Sequence, residues 1–88
     1  MSVFVRFHTP GFTEEMYQGV AAQATDASKA APGFIAHYAF LDGDGMTVSE
    51  IWDTQAEQEA FFSEHILPKL PQEIPAAQVF EIINTITP

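Results

Sequence analysis

Apolar and polar residues alternate through "SVFVRFH" (2–8), with β-branched and aromatic side chains, and the alternation stops at Pro10-Gly11. That pattern predicts a strand and its breaker. Thr13 is placed to cap a helix whose first turn carries Glu14 and Glu15, the right charge for the positive end of a helix dipole. Met16, Val20, Ala24 and Ala27 recur at helical spacing, with Tyr17 and Ala31 beside them, until Pro32-Gly33 ends the run. Two more strands are expected over about 34–41 and 46–52, joined by "DGDG", whose Asp-Gly steps supply the positive φ of a hairpin turn. Thr54 and Glu57 have capping-box spacing and open a second helix, which Pro68 closes. "PKLPQEIP" reads as a proline-punctuated loop and "QVFEIINTI" (78–86) as a last strand.

The order β-α-β-β-α-β, with no internal linker and no short repeat, predicts one domain over 1–88. Its fold class is α+β, a ferredoxin-like antiparallel sheet with both helices on one side. Two helices cover one side only. Yet Phe34, Ala36, Tyr38 and Phe40 point one way from the second strand while Ile35, His37, Ala39 and Leu41 point the other. In the last strand Phe80, Ile82 and Ile86 oppose Val79 and Ile83. A sheet with one wet face alternates more cleanly. An apolar patch of this kind marks an interface, and the simplest cover is a second copy packed sheet to sheet, a homodimer.

Size and charge sharpen this picture. The chain has 88 residues and no cysteine, and 47% of its residues are hydrophobic. A domain so small has difficulty hiding that much apolar surface alone, and without disulfides association is the available remedy. The net charge is −9, from 12 acidic residues against Arg6, Lys29 and Lys69. Three scattered cations do not bind a phosphate backbone, so nucleic acid is not an expected partner, nor is an anionic membrane surface. The N-terminal "MSVFVRFHTPG" lacks a basic stretch followed by a long apolar run, so neither a signal peptide nor a membrane span is expected. The expected location is the cytoplasm.

Candidate chemistry gathers on the hairpin. Its pairing sets Leu41 opposite Met46, Ala39 opposite Val48, His37 opposite Glu50, and Ile35 opposite Trp52. Directly paired side chains share a face, so His37 and Glu50 are neighbours with the Trp52 indole one step along. A carboxylate beside an imidazole fixes its tautomer and favours the protonated form, and the pair can serve as a general base toward a phenol or an enol. The same two residues can equally be an ion pair that satisfies both groups within a covered sheet. Arg6, in a strand between the third and the fourth, reaches Glu50 or Glu81 if they share its face; it is either a structural partner or the holder of an anionic ligand. On the second helix Phe61, Phe62 and Ile66 form an apolar arc containing Gln58 and His65. These polar groups either line a cavity between helix and sheet or lie at its wet rim. Trp52 is a wall or core packing, and Tyr38 and Tyr17 either donate to a ligand oxygen or pack. His8, His37 and His65 lie on three elements without HxH or HxxxH spacing, so no metal site is expected.

"PGFIAHYAFLDGDGMTVSEIWDTQAEQEAFFSEHILPKLP" resembles the PGF…H…EvW(D/E)(S/T)…F…P stretch of the small dimeric α+β-barrel proteins grouped as antibiotic-biosynthesis-monooxygenase-like. The likeness covers the central half of the chain, and the element order extends it. It implies a homodimeric α+β barrel that binds a small aromatic or polyketide-like molecule between helices and sheet, monooxygenase-like and running without metal, flavin or haem. In that frame His37 is the base, Glu50 orients it, Trp52 and Phe61 are walls, His65 is a second polar contact, and Tyr38 and Arg6 are further ligand contacts. The same pocket would serve a cofactor-free isomerase or cyclase, or a dimer that only binds its ligand. Haem-degrading members of the superfamily resemble one another in an Asn on the first strand and a Trp and a His on the second helix. Here the first strand has no Asn, Phe61 stands at the Trp position, and the His position falls in the proline-rich loop. Haem degradation is therefore disfavoured.

Overall fold

The computed structural model describes residues 1–70 and 73–88. Strand β1 (Val3–Pro10) leads through a turn into helix α1 (Glu14–Ala30). The hairpin β2 (Phe34–Asp42) and β3 (Gly45–Trp52) follows, then helix α2 (Gln55–Phe61) and finally β4 (Gln78–Glu81). After α2 the chain stays helical, but its turn first widens over Phe62–Ile66 and then tightens over Leu67–Lys69. Pro68 sits in the tightened turn, where its missing N–H costs nothing. The four strands form one antiparallel sheet in the order β2-β3-β1-β4, the ferredoxin-like arrangement that the element order predicts.

Local chemistry starts each element where the sequence signals it. The Thr13 side chain accepts a hydrogen bond from Met16 N at 3.1 Å, and Thr54 accepts one from Glu57 N at 3.2 Å. Each cap satisfies an amide that the first helical turn leaves without a partner. The hairpin turns through Gly43 at φ +61° and Asp44, with the positive φ at the first central position. Gly45 packs so tightly that a β-carbon there would meet Thr9 O at 2.1 Å. On the outer side of the sheet His8 Nδ1 is 3.0 Å from Thr47 Oγ1 and its Nε2 2.7 Å from Asp44 Oδ1. Thr47 in turn donates to Asp42 Oδ2 at 2.8 Å, so the hairpin tip is tied to β1.

The strand register settles which side of the sheet the helices cover. Val5 stands opposite Glu50, Phe7 opposite Val48 and Val3 opposite Trp52, and this is the covered side. A core of Val3, Val5, Trp52 and Phe61, with Phe34, Ile66 and Val79 against it, lies between sheet and helices. Phe4, Arg6, Tyr38, Phe40, Ile51 and Phe80 belong to the other side by the same register.

Two sequence expectations are corrected. The first concerns the start of β2. Trp52 pairs with Phe34 rather than with Ile35, because the register shifts between Phe34 and Ala36. That bulge turns Phe34 inward, where its ring meets Trp52 edge-on at 5.3 Å, and leaves Ile35 49% exposed. An extra residue in one strand reverses which side its neighbours face. The second concerns the last strand, which ends at Glu81 rather than reaching 86. Glu81 pairs with Val3, and Ile82 N then donates to Ser2 O at 2.9 Å. The backbone of β1 begins there, so residues beyond 82 have no strand to pair with. Ile83 and Ile86 are accordingly 90% and 86% exposed.

Candidate functional site

His37 and Glu50 are register partners on the covered side, as the hairpin pairing predicts. Glu50 is 8% exposed, and a buried carboxylate needs donors at both oxygens. It has them. His37 Nδ1 lies 2.6 Å from Glu50 Oε2, and Trp52 Nε1–H donates to Glu50 Oε1 at 3.1 Å. A neutral imidazole in this pair carries its proton on Nδ1, facing the carboxylate, and its lone pair on Nε2. That atom is 2.7 Å from the hydroxyl of Tyr17, so with the ring neutral the phenol donates to Nε2. Four side chains from three elements thus form one directed chain: Tyr17 to His37 to Glu50, with Trp52 closing the far end.

For Tyr17 the sequence offers a ligand oxygen or packing; the structure places its hydroxyl against His37 instead. Tyr17 lies on the first full turn of α1, and its ring stacks beside His37 with centroids 6.0 Å apart and planes 22° from parallel. Burial, and secondarily the charge on Glu50, push the phenol above its ordinary value of 10.0, so it stays protonated. A signal was available: a tyrosine inside an apolar helical stripe must find a partner for its hydroxyl when it is covered.

The chain opens on a cavity of about 420 Å³ between α1, the sheet and the helical turns after α2, within the range of about 300–1,000 Å³ typical of small-molecule sites. Tyr17, His37 and Glu50 line it together with Thr9, Thr25, Ser28 and Lys29, and its apolar walls include Phe7, Val20, Met46, Val48 and Phe61. The alanines of α1 leave this space. Ala21 and Ala24 face it where larger side chains would fill it, and Ala24 is the buried residue of that helix.

The remaining candidates are dispersed. Phe61 lines the cavity and is buried. Tyr38 borders the cavity from edge strand β2, but the register turns its side chain to the other side of the sheet, where it is 59% exposed. Trp52 lies outside the lining, fully buried, and acts on the site through Glu50. His65 is also outside the lining, with its ring 5.1 Å from that of Phe61 and its Nε2 3.8 Å from Glu64 Oε2. Gln58 is buried beside a second hollow, between α2 and the segment before β4. Arg6 is carried away from both carboxylates expected for it, because the odd-numbered residues of β1 face the helices. It meets Gln78 Oε1 at 3.5 Å and Asp42 Oδ2 at 3.9 Å. Among the described residues no group of three His, Asp or Glu could hold a metal ion, and no helix is long and apolar enough to cross a membrane.

No protein-family model matches the sequence, and no curated protein matches it significantly. Solved structures do match over nearly the whole chain. SnoaB, a cofactor-independent oxygenase from Streptomyces nogalater, is 17% identical, with 97% of this chain and 95% of that chain covered and a TM-score of 0.65. Rv0793 from Mycobacterium tuberculosis is 14% identical, covering 98% and 97%, with a TM-score of 0.64. A Chloroflexus aurantiacus protein described as a candidate antibiotic biosynthesis monooxygenase is 12% identical, covering 99% and 98%, with a TM-score of 0.68. Identities this low speak for architecture and not for chemistry. The chain has the fold of the antibiotic-biosynthesis-monooxygenase-like proteins.

Proposed function

We propose that the protein is a homodimeric, cofactor-independent monooxygenase-like enzyme acting on a small aromatic or polyketide-like molecule held between helices and sheet. The observation that carries the reading is the Tyr17–His37–Glu50 chain facing an apolar cavity of about 420 Å³. His37 is the base: Glu50 holds its proton on Nδ1 and leaves Nε2 as the acceptor. Glu50 takes the orienting role, with one hydrogen bond already on each of its oxygens. A substrate methylene made acidic by a neighbouring carbonyl and an aromatic ring gives its proton to Nε2 and becomes an enolate. The enolate donates its electrons to dioxygen directly; the balance is one CH₂ and one O₂ converted to one C=O and one water. The apolar walls of the cavity lower the local dielectric, which strengthens electrostatic contacts to the developing charge.

The reading is tested by oxygen uptake with enolisable aromatic ketones such as 2-tetralone, in protein freed of metal and flavin. Uptake that depends on His37 supports it. Tight binding of the ketone without any uptake would instead favour a dimer that only binds its ligand.

The second copy is proposed from the uncovered side of the sheet. Tyr38, Phe40 and Phe80 are 59%, 48% and 52% exposed there, with Phe4 and Ile51 between them. A chain this short gains most by covering such a patch. Light scattering at micromolar concentration is expected to return the mass of two chains; a soluble species with the mass of one would remove the dimer from the account.

A further inference from the structure

The base proposed above has an obstacle built into it. A phenol has a single proton to donate, and at 2.7 Å Tyr17 spends it on Nε2 of His37. While that bond stands, the lone pair that should accept a ligand's proton is occupied. Glu50 also lines the cavity, with one hydrogen bond already accepted by each of its oxygens.

Geometry also supplies the release. Tyr17 and His37 both line the cavity, and their rings lie nearly parallel. A hydroxyl hydrogen rotates to suit its surroundings, but the Tyr17 oxygen itself lies against Nε2, so freeing that atom takes a rotation of the tyrosine side chain into the cavity that both residues line. We propose that the Tyr17 hydroxyl is a two-position donor: it caps His37 Nε2 when the cavity is empty, and turns to the oxygen of an uncharged phenolic or enolisable ligand, which frees Nε2 to take that ligand's proton.

This deepens the functional reading and rests on it. In the bound state the O–H or C–H bond of the ligand breaks and its proton moves to Nε2. The electron pair stays on the ligand oxygen, which accepts the Tyr17 O–H. The imidazolium so formed is paired with Glu50 through Nδ1–H. No oxidant takes part in this step. It also selects the ligand. A molecule that enters already anionic has no proton for Nε2, so this step takes only neutral weak acids.

The test uses 2-naphthol, whose absorption differs between naphthol and naphtholate, at neutral pH where the free probe is neutral. The wild-type protein is expected to hold a measurable fraction as naphtholate. Tyr17→Phe, which removes one oxygen atom, is expected to lower the bound naphtholate-to-naphthol ratio about tenfold, equivalent to one unit in the acidity of the bound probe. This is expected even though Nε2 is then uncapped. Tyr17→Leu removes the donor in a different shape and is expected to change the ratio in the same direction, which keeps the test decisive if one variant folds poorly. An unchanged or increased naphtholate ratio in both Tyr17 variants, with the signal lost in His37→Gln, overturns the two-position donor and leaves the base in place. A naphtholate signal that survives His37→Gln overturns the base itself. A wild-type protein that takes up no naphthol, or holds it only in neutral form, also overturns the proposal.

Discussion

Trp52→Ala is expected to cost about 3–5 kcal/mol of folding stability, the largest effect of any single substitution in this chain. Trp52 is fully buried, and its ring meets Phe34 at 5.3 Å and Phe61 at 5.4 Å. Removing it opens a hole in a core whose other fully or nearly buried members are Val3, Val5 and Phe61. It also strips one donor from a buried carboxylate. Small domains have about 5–15 kcal/mol in total, so little folded protein should remain at 37 °C. Trp52→Phe separates the two contributions. It keeps most of the ring packing but leaves Glu50 Oε1 without the indole N–H, an expected loss of about 1–3 kcal/mol. Urea denaturation monitored by circular dichroism measures both. Equal, small losses for the two variants would mean that the indole is neither core nor a support for Glu50.

His37→Gln is expected to lower oxygen uptake on an enolisable ketone by about 10²–10⁴-fold, the usual contribution of a positioned base. A glutamine side chain still reaches Glu50 and Tyr17 but has no lone pair basic enough to hold the proton. Stability should change little beside that, because the imidazole sits on a half-exposed edge strand rather than in the core. Glu50→Gln is the complementary change. An amide in place of the carboxylate can offer N–H to Nδ1, which favours the tautomer with its proton on Nε2. The imidazole then has no acceptor facing Tyr17 or a ligand. Activity is expected to fall comparably while the side-chain volume is conserved. If both variants lose stability and neither changes turnover, the pair is structural.

How much of this could be read from the chain depends on the range of the interactions. The element order and the hairpin register come from local signals: Thr13 and Thr54 as caps, "DGDG" as the turn, alternation in β1. From those alone His37 meets Glu50, because pairing follows once the turn is placed. The bulge between Phe34 and Ala36 was not legible. It places Phe34 against Trp52, and nothing local announces that. Tyr17 reaches His37 only because α1 crosses over β2, a tertiary approach that helical periodicity does not report. The role of Trp52 was half visible: its burial followed from its type, but its N–H bond to Glu50 needed two side chains at i and i+2 on one strand face to turn toward each other. Arg6 was read toward carboxylates that strand parity places on the opposite side. The cavity was expected between helices and sheet, and the alanines of α1 are its sequence trace.

The most direct test of the account is the tautomer of His37, read from the ¹⁵N spectrum of ring-labelled histidine in the free protein at pH 9, with His37→Gln used for assignment. The account predicts the Nδ1–H form, with Nε2 shifted as a hydrogen-bond acceptor and that shift changed in Tyr17→Phe. A neutral ring protonated on Nε2, or a freely exchanging mixture indifferent to Tyr17, would contradict it.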